Sequence, residues 1–413
     1  MSETNMPGTK EPGIRGSLRL KKGAGRRLRA GHLWIYSNEV DTAATPLKTM
    51  VAGSEVVVED AAGKFVAMAV VNPGSLICAR LYTREQSRSL DQPLIVSRLK
   101  QALQFRESYF SKPFYRAIFG DSDLLPGLVV DRFGDYLSAQ LTTAAMDQRR
   151  DTVIAALDEV FSPKGIVFRN QGPFRQMEGL PESVEVAAGE VPDLVELEEN
   201  GTRFLAPVMT GQKTGWFYDH RINRQQLQQL SKDKTILDVY SYVGGWGVQA
   251  AAAGAKSVTC VDISGDALDL AQQNAELNSY GGKYKGQFSC LQGKANDIMK
   301  LLIDAGQTFD VVVLDPPAFI KRKKDQRQGE KAYHQANQLA LRLLAPGGTL
   351  VSASCSMHLP QQSLMDVVKT AAAHRQKQLQ VFSMGGQGPD HPIHPAIAET
   401  NYLKAIFARD ILA

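Results

Sequence analysis

The sequence predicts an α/β protein: a doubly wound C-terminal domain preceded by a small β-barrel and a central α+β domain. Three observations predict this. After residue 205, near-continuous Val/Ile/Leu runs alternate with helical patterns, the texture of a parallel sheet covered on both faces. Between residues 16 and 90, short strand-like runs are separated by turn signals such as Asp60-Ala61-Ala62-Gly63 and Asn72-Pro73-Gly74. The chain has 413 residues, and at roughly 150 residues per domain it has room for two or three cores.

Taken in order, residues 1–90 are a polar tail followed by the barrel, with strands expected at 18–20, 33–36, 53–58, 65–70 and 76–81. Residues 91–200 form the central domain. Apolar residues recur at helical spacing from Pro93 to Tyr109, two strands flank a turn at Phe133-Gly134-Asp135, a helix covers 148–160 and a strand 165–169. A Gly/Pro-broken acidic stretch from Glu182 to Glu199 then marks a boundary near residue 200. In the last domain, 201–413, strands are expected at 235–239, 257–261, 287–291, 309–314 and 349–353, with a final strand at 402–408. The helices between and after them are expected at 248–253, 265–278, 295–305, 331–344 and 362–374.

Composition narrows the function class. With 43% hydrophobic and 22% charged residues, the chain is neither disordered nor fibrous. No run approaches the roughly 18 apolar residues that span a bilayer, so a membrane partner is not expected. The first thirteen residues lack the apolar segment of a secretory signal. Four scattered cysteines without a CxxC pair argue against a disulfide framework or structural zinc, and the cytoplasm is the expected compartment. The net charge is only +4, but Lys10, Arg15, Arg19, Lys21, Lys22, Arg26, Arg27 and Arg29 cluster at one end. Lys321, Arg322, Lys323, Lys324 and Arg327 follow Asp315-Pro316-Pro317. Clustered cations neutralise phosphates, so RNA or DNA is the expected partner. Oligomeric state stays open, a homodimer included.

The first strand of the last domain ends in Asp238-Val239-Tyr240-Ser241-Tyr242-Val243-Gly244-Gly245-Trp246-Gly247 and runs straight into a helix. Such a turn lets backbone approach a ligand, but its spacing is not the dinucleotide fingerprint. Asp262 ends the second strand, where a carboxylate meets ribose hydroxyls. Asp238 would repel a pyrophosphate and suits the ammonium of an amino acid. S-adenosylmethionine carries both a nucleoside and an amino acid, and no phosphate. Asp238, Tyr240, Ser241, Gly244 and Asp262 are therefore expected to bind it.

LRAGHLWIYSNEV (28–40) resembles the opening of PUA domains, compact RNA-binding barrels. Residues 205–413 look like a class I S-adenosylmethionine-dependent methyltransferase, a Rossmann-like fold. GDSDLLPGLVVDRFGD (120–135), GQKTGWFYDHR (211–221), DPPAF (315–319) and SASCS (352–356) complete the pattern. With them, the whole chain resembles the ribosomal RNA large subunit methyltransferase I family, which makes 5-methylcytosine in large-subunit rRNA. The resemblance implies that Gln212, Lys213, Thr214, Asp219 and Arg221 support the cofactor. Where relatives carry an acid touching the adenine amine, this chain has Gly293-Lys294-Ala295-Asn296. Lys294 cannot accept a hydrogen bond, so Asn296 or Asp297 is expected to substitute. Relatives often have Lys or Thr where this chain has Ala318.

Carbon 5 of cytosine is a poor nucleophile, and a thiolate added to carbon 6 activates it. Cys355, at a strand end among hydroxyls, is the expected nucleophile, and Asp315 the expected partner of the cytosine edge. Cys260 and Cys290 read as buried packing residues. Pro316 and Pro317 stiffen the loop. Phe319 is expected to stack on the base, and Lys321 and Lys323 to hold phosphates around an unstacked cytosine. His334 and His358 lie near this edge without a distinguishing signal. His391-Pro392-Ile393-His394-Pro395 reads as structural, with no metal site expected. Two alternatives keep part of this reading. One is a base-amine or guanine methyltransferase needing no thiol; the other is a non-catalytic RNA-binding or assembly protein with a vestigial cofactor fold. A nicotinamide dehydrogenase fits neither the glycine spacing nor the DPP motif.

Overall fold

The computed structural model describes residues 14–212, 214–279 and 286–411; Lys10 and Lys213 lie outside them. The chain divides into two compact units. The first holds residues up to 193 together with 208–215 and 394–397; the second holds 194–207, 216–393 and 398 onward.

The first unit contains two sheets. β1 (Ile14–Arg19), β2 (Trp34–Tyr36), β3 (Glu55–Glu59), β4 (Phe65–Val71) and β5 (Ile77–Thr83) form a sheet of order β1-β3-β4-β5-β2, with the short helix α1 (Gly25–Arg29) between β1 and β2. Helix α2 (Gln92–Tyr109) follows. Asp91 caps it by accepting from Leu94 N at 3.0 Å, and Pro93 occupies its first turn, where no donor is missed. The second sheet has the order β10-β9-β8-β7-β6. Its strands are β6 (Phe114–Phe119), β7 (Leu128–Phe133), β8 (Tyr136–Leu141), β9 (Gly165–Asn170) and β10 (Ser183–Gly189). The helices α3 (Ala144–Gln148) and α4 (Arg150–Phe161) cross between β8 and β9, and α5 (Pro173–Met177) precedes β10.

Barrel and central domain were expected as separate bodies but share a core. Met68, Val70 and Tyr82 of the first sheet join Ile95, Leu99 and Ile118 in one buried cluster. The buried Arg149 guanidinium, between α3 and α4, ties that helical crossover to the first sheet, pairing with Glu55 at 2.7 Å and donating to the carbonyls of Gly53, Leu90 and Ala145. Every donor of a buried guanidinium needs such partners.

The second unit opens with a hairpin, β11 (Val195–Glu199) and β12 (Thr202–Ala206), and helix α6 (Arg221–Leu230). Then come β13 (Thr235–Val239), α7 (Gly247–Ala252), β14 (Ser257–Asp262), α8 (Gly265–Ser279), β15 (Gln287–Gln292), α9 (Ala295–Asp304) and β16 (Phe309–Leu314). The chain ends with α10 (Gln326–Leu343), β17 (Leu344–Ser354), α11 (Gln361–Ala373), β18 (Leu379–Gly385) and β19 (Lys404–Asp410). These strands build a seven-stranded sheet of order β15-β14-β13-β16-β17-β19-β18. The first five run parallel, and β19 is antiparallel to both its neighbours. Ile236, Leu237, Val239, Val312 and Val313 are fully buried, as strands covered on both faces must be. Because β14 and β16 flank β13 on opposite sides, the topological switch lies at the carboxyl ends of β13 and β16. That is where open α/β sheets bind ligands.

Candidate active site

The turn after β13 is tightly constrained. Tyr240 and Tyr242 adopt left-handed conformations at φ 67° and 49°, which non-glycine residues hold only where surroundings enforce them. The amides of Tyr240 and Ser241 both donate to the Val261 carbonyl, at 2.8 and 3.0 Å, pinning the turn to β14. At Gly247, a Cβ would stand 2.6 Å from Cys260 Sγ and 3.2 Å from Asp238 Oδ2, so this glycine serves close packing of helix on strand.

Asp238 is fully buried. Its Oδ2 accepts from Gly247 N at 2.8 Å, but among the described residues no donor reaches Oδ1. Burial pushes this carboxyl up to about 7, the Gly247 amide opposes, and the neighbouring Asp315 and Asp262 add to the rise. A buried acid with one unmet oxygen fits a cationic ligand group. Asp262, at the end of β14, accepts from Tyr242 N at 2.9 Å and Ser264 N at 3.0 Å. These bonds fix its orientation and leave a second lone pair on each oxygen. In the first turn of α9, beyond β15, Asn296 Oδ1 is another buried acceptor without a partner among the described residues. Asp297 instead is exposed and lies 3.7 Å from Lys300 Nζ. S-adenosylmethionine, with an ammonium, a ribose and an adenine amine, fits this donor and acceptor set.

Asp219 and Arg221 belong to this unit. Asp219 is buried and accepts from Tyr402 Oη at 2.6 Å. Arg221 lies 3.5 Å from Glu199, a buried acid that also receives Arg224, Trp216 Nε1 and Gln249. Thr214 lies in the first unit, fully buried, and donates to Asp131.

Beyond β16, each oxygen of Asp315 has a nitrogen close by. Trp246 Nε1 donates to Oδ2 at 2.9 Å, and His220 Nε2 stands 3.1 Å from Oδ1. Burial works to raise this carboxyl, but the His220 and Trp246 contacts outweigh it and hold it below the ordinary value. Pro316 is buried and Pro317 exposed. Phe319 packs against Tyr333 at 4.8 Å and Tyr240 at 6.3 Å between ring centres. Lys321 and Lys323 are exposed on the loop that follows.

Cys355 leaves β17 half-buried. The serines on either side are fully buried. Ser354 Oγ and Ser356 Oγ each lie 2.8 Å from Tyr333 Oη, and Ile320 N donates to Ser356 Oγ at 3.2 Å. These bonds hold the two serines and fix the backbone around the thiol between them. Leu314 pairs with Ser352 in the parallel β16–β17 ladder, so Asp315 and Cys355 emerge from neighbouring strands at one edge. Burial raises the other thiols, Cys78 to about 12, Cys290 to about 11, and Cys260 well above its usual value. His220, Asn223, Trp246, Tyr333, Ser356 and Lys404 escaped sequence reasoning. Trp246 inside the glycine turn, His220 inside GQKTGWFYDHR and Ser356 inside SASCS carried a local signal, though not their roles.

Of the two basic clusters, part is neutralised. Arg19 pairs with Glu59, Arg27 with Glu39, Arg29 with Asp60 and Arg322 with Asp325. Lys21, Lys22, Arg26, Lys321, Lys323, Lys324 and Arg327 remain exposed without an ion-pair partner among the described residues. The groups around His334 and His391 do not assemble a metal site: among the described residues no set of three or more His, Cys, Asp or Glu could hold an ion. No described helix is long and apolar enough to cross a membrane.

Comparison with known proteins agrees with this geometry. Residues 18–84 match the PUA-like domain family, and residues 174–405 match the S-adenosylmethionine-dependent methyltransferase family. Ribosomal RNA large subunit methyltransferase I of Cronobacter sakazakii is 35% identical over 397 residues, covering 94% of this chain and 97% of that protein. The enzyme of the same name from Aeromonas hydrophila is 35% identical over 402 residues, covering 95% and 99%. In fold, a methyltransferase crystallised with S-adenosylhomocysteine superposes with a TM-score of 0.81 at 19% identity, over 96% of this chain and all of that one. A PUA-like domain followed by a methyltransferase sheet, at this identity over nearly the full length, places the chain in the ribosomal RNA large subunit methyltransferase I family of S-adenosylmethionine-dependent enzymes.

Proposed function

We propose that this S-adenosylmethionine-dependent rRNA methyltransferase modifies carbon 5 of a cytosine in large-subunit rRNA, with Cys355 as covalent nucleophile. The observation that carries the reading is the half-buried thiol of Cys355 beside Asp315 at the carboxyl edge of β16 and β17. The cofactor supplies an electrophilic methyl group on its sulfonium. Asp238 takes its ammonium, Asp262 its ribose hydroxyls, and Asn296 its adenine amine.

The Cys355 thiolate adds to carbon 6, and the electron pair of the 5,6 double bond moves to carbon 5, which would take the methyl group as the S–CH3 bond breaks and its electron pair stays on sulfur, the neutral thioether then leaving. Asp315, oriented by His220 and Trp246, uses its remaining lone pairs to hold the cytosine edge and favour protonation at nitrogen 3. Carbon 5 then loses its proton to water, the 5,6 double bond re-forms, and Cys355 departs as thiolate. The target base must be unstacked to reach this edge. The PUA-like domain and the exposed cations after Phe319 hold flanking phosphates.

The test is nucleoside mass spectrometry of rRNA from cells lacking this protein, complemented with wild type or Cys355→Ala. Loss of a 5-methylcytosine that wild type restores and Cys355→Ala does not is the expected result. Loss of a methylated base amine instead, restored by Cys355→Ala, supports the thiol-free chemistry.

A further inference from the structure

Lys404 opens β19 and pairs in register with Ser354, the residue before Cys355. It is only 6% exposed, and its Nζ donates at 2.7 Å to the carbonyl of Ser356, the residue after Cys355. An ammonium has three donors. Among the described residues that carbonyl is its only hydrogen-bond acceptor, and no carboxylate pairs with it. A buried cation without an anion is unfavourable, and proteins relieve it by neutralisation or by a nearby negative charge. Burial lowers the ammonium to about 8, and a charge on Cys355 acts to raise it again.

We propose that Lys404 is the counter-charge of Cys355, a positioning residue that favours thiolate over thiol at the edge where the pyrimidine binds. The proposal rests on the reading of Cys355 as nucleophile. From α10, the Tyr333 hydroxyl also faces Cys355, but burial raises its ionisation, and it stays neutral where a thiol titrates. Tyr240 of the β13 turn, which faces Tyr333, is raised to about 12 and is likewise uncharged. Lys404, held against the carbonyl that follows Cys355, can supply positive charge beside this sulfur. A lysine kept only to cap the Ser356 carbonyl would leave the ionisation of Cys355 unchanged.

The experiment is the pH dependence of iodoacetamide alkylation at Cys355 in the full-length protein, followed by mass spectrometry of the Cys355 peptide. In wild type the rate is expected to be half-maximal below pH ~8.5, the midpoint of an ordinary thiol. In Lys404→Met the rate at pH 7 falls about tenfold, the effect of one pKa unit, and converges on wild type in alkaline solution. Equal profiles for the two proteins overturn the proposal. A wild-type midpoint at or above the ordinary value overturns it too, and decides the matter even if Lys404→Met fails to fold. Cys355→Ser separates the two readings. Methyl transfer surviving in Cys355→Ser removes the nucleophile role itself, whereas an inactive Cys355→Ser together with an ordinary alkylation profile of Cys355 in wild type removes only the role of Lys404.

Discussion

His220 Nε2 stands 3.1 Å from Asp315 Oδ1 while its Nδ1 accepts from the Asn223 amide nitrogen at 3.0 Å. The same amide nitrogen donates to the Gly386 carbonyl at 2.9 Å, which fixes its orientation. With Nδ1 accepting, the hydrogen of a neutral imidazole sits on Nε2, the nitrogen 3.1 Å from Asp315. On the proposed mechanism His220 acts through Asp315, since its Nδ1 electron pair faces the Asn223 amide.

Replacing His220 by Phe removes this donor while keeping a ring of similar size. Burial then dominates and the Asp315 carboxyl rises from its lowered position. Because a carboxyl must be ionised to favour a protonated ring nitrogen, the acidic limb of the pH–rate profile moves to higher pH. An upward shift of one unit corresponds to a roughly tenfold loss on that limb, with much less loss at pH 8. Steady-state rates from pH 5.5 to 8.5 decide: a loss equal at every pH means that His220 does not act on the ionisation of Asp315.

If Asp238 takes the cofactor's ammonium, as proposed, cofactor affinity depends on pH. In the free protein its carboxyl titrates at about 7. A bound ammonium favours the carboxylate, so binding expels the proton and affinity rises with pH up to about 7. Below that, each unit of acidification weakens binding up to roughly tenfold. The ligand's own amine titrates nearer 7.7–8.0, so calorimetry between pH 5.5 and 7 isolates the protein group. Constant affinity across that interval, with no proton release between buffers of different ionisation enthalpy, contradicts the assignment.

Asn296 and Asp297 offer a sharper discrimination. Both are acceptors in the first turn of α9, but only Asn296 has a buried, unmet oxygen. Asn296→Leu should weaken S-adenosylmethionine binding by roughly tenfold, the scale of one hydrogen bond to a buried group. Asp297→Ala should change it less than about twofold, because an exposed carboxylate near Lys300 contributes little. The reverse order would assign the adenine contact to Asp297.

Much of the second unit was legible because β13, β14 and β16 are mostly apolar or β-branched and are separated by helical patterns. The missed elements share a physical cause. β18 is an edge strand whose residues alternate between half-buried and exposed, leaving Phe382 and Met384 open to solvent, and its Gln and Ser content hides it. β10 and β11 lie in the acidic stretch that read as a boundary, yet Val195 and Leu197 point inward while Glu196 and Glu198 alternate with them. The boundary itself falls at 193/194, with 208–215 and 394–397 in the first unit, because long-range packing assigns a segment to a body. The chemistry-bearing motifs at Asp238, Asp262, Asp315 and Cys355 were visible since each ends a strand. Their partners were not: His220, Asn223 and Lys404 are distant in sequence, and only the folded sheet brings them to those groups.

The loop after Phe319 allows an electrostatic test of RNA engagement. Lys321, Lys323 and Lys324 are exposed, whereas Arg29 is already bound to Asp60. Each phosphate neutralised on a single strand contributes about 0.7 to the slope of log affinity against log salt. Replacing the three lysines by Ala should flatten that slope by about 2 if each contacts a phosphate. Arg29→Ala should leave it nearly unchanged, since its charge is offset within the domain. Fluorescence anisotropy with an rRNA fragment from 50 to 300 mM salt measures both. An unaltered slope in the triple variant would move the phosphate contacts off this loop and onto Lys21, Lys22 and Arg26 of the PUA-like domain.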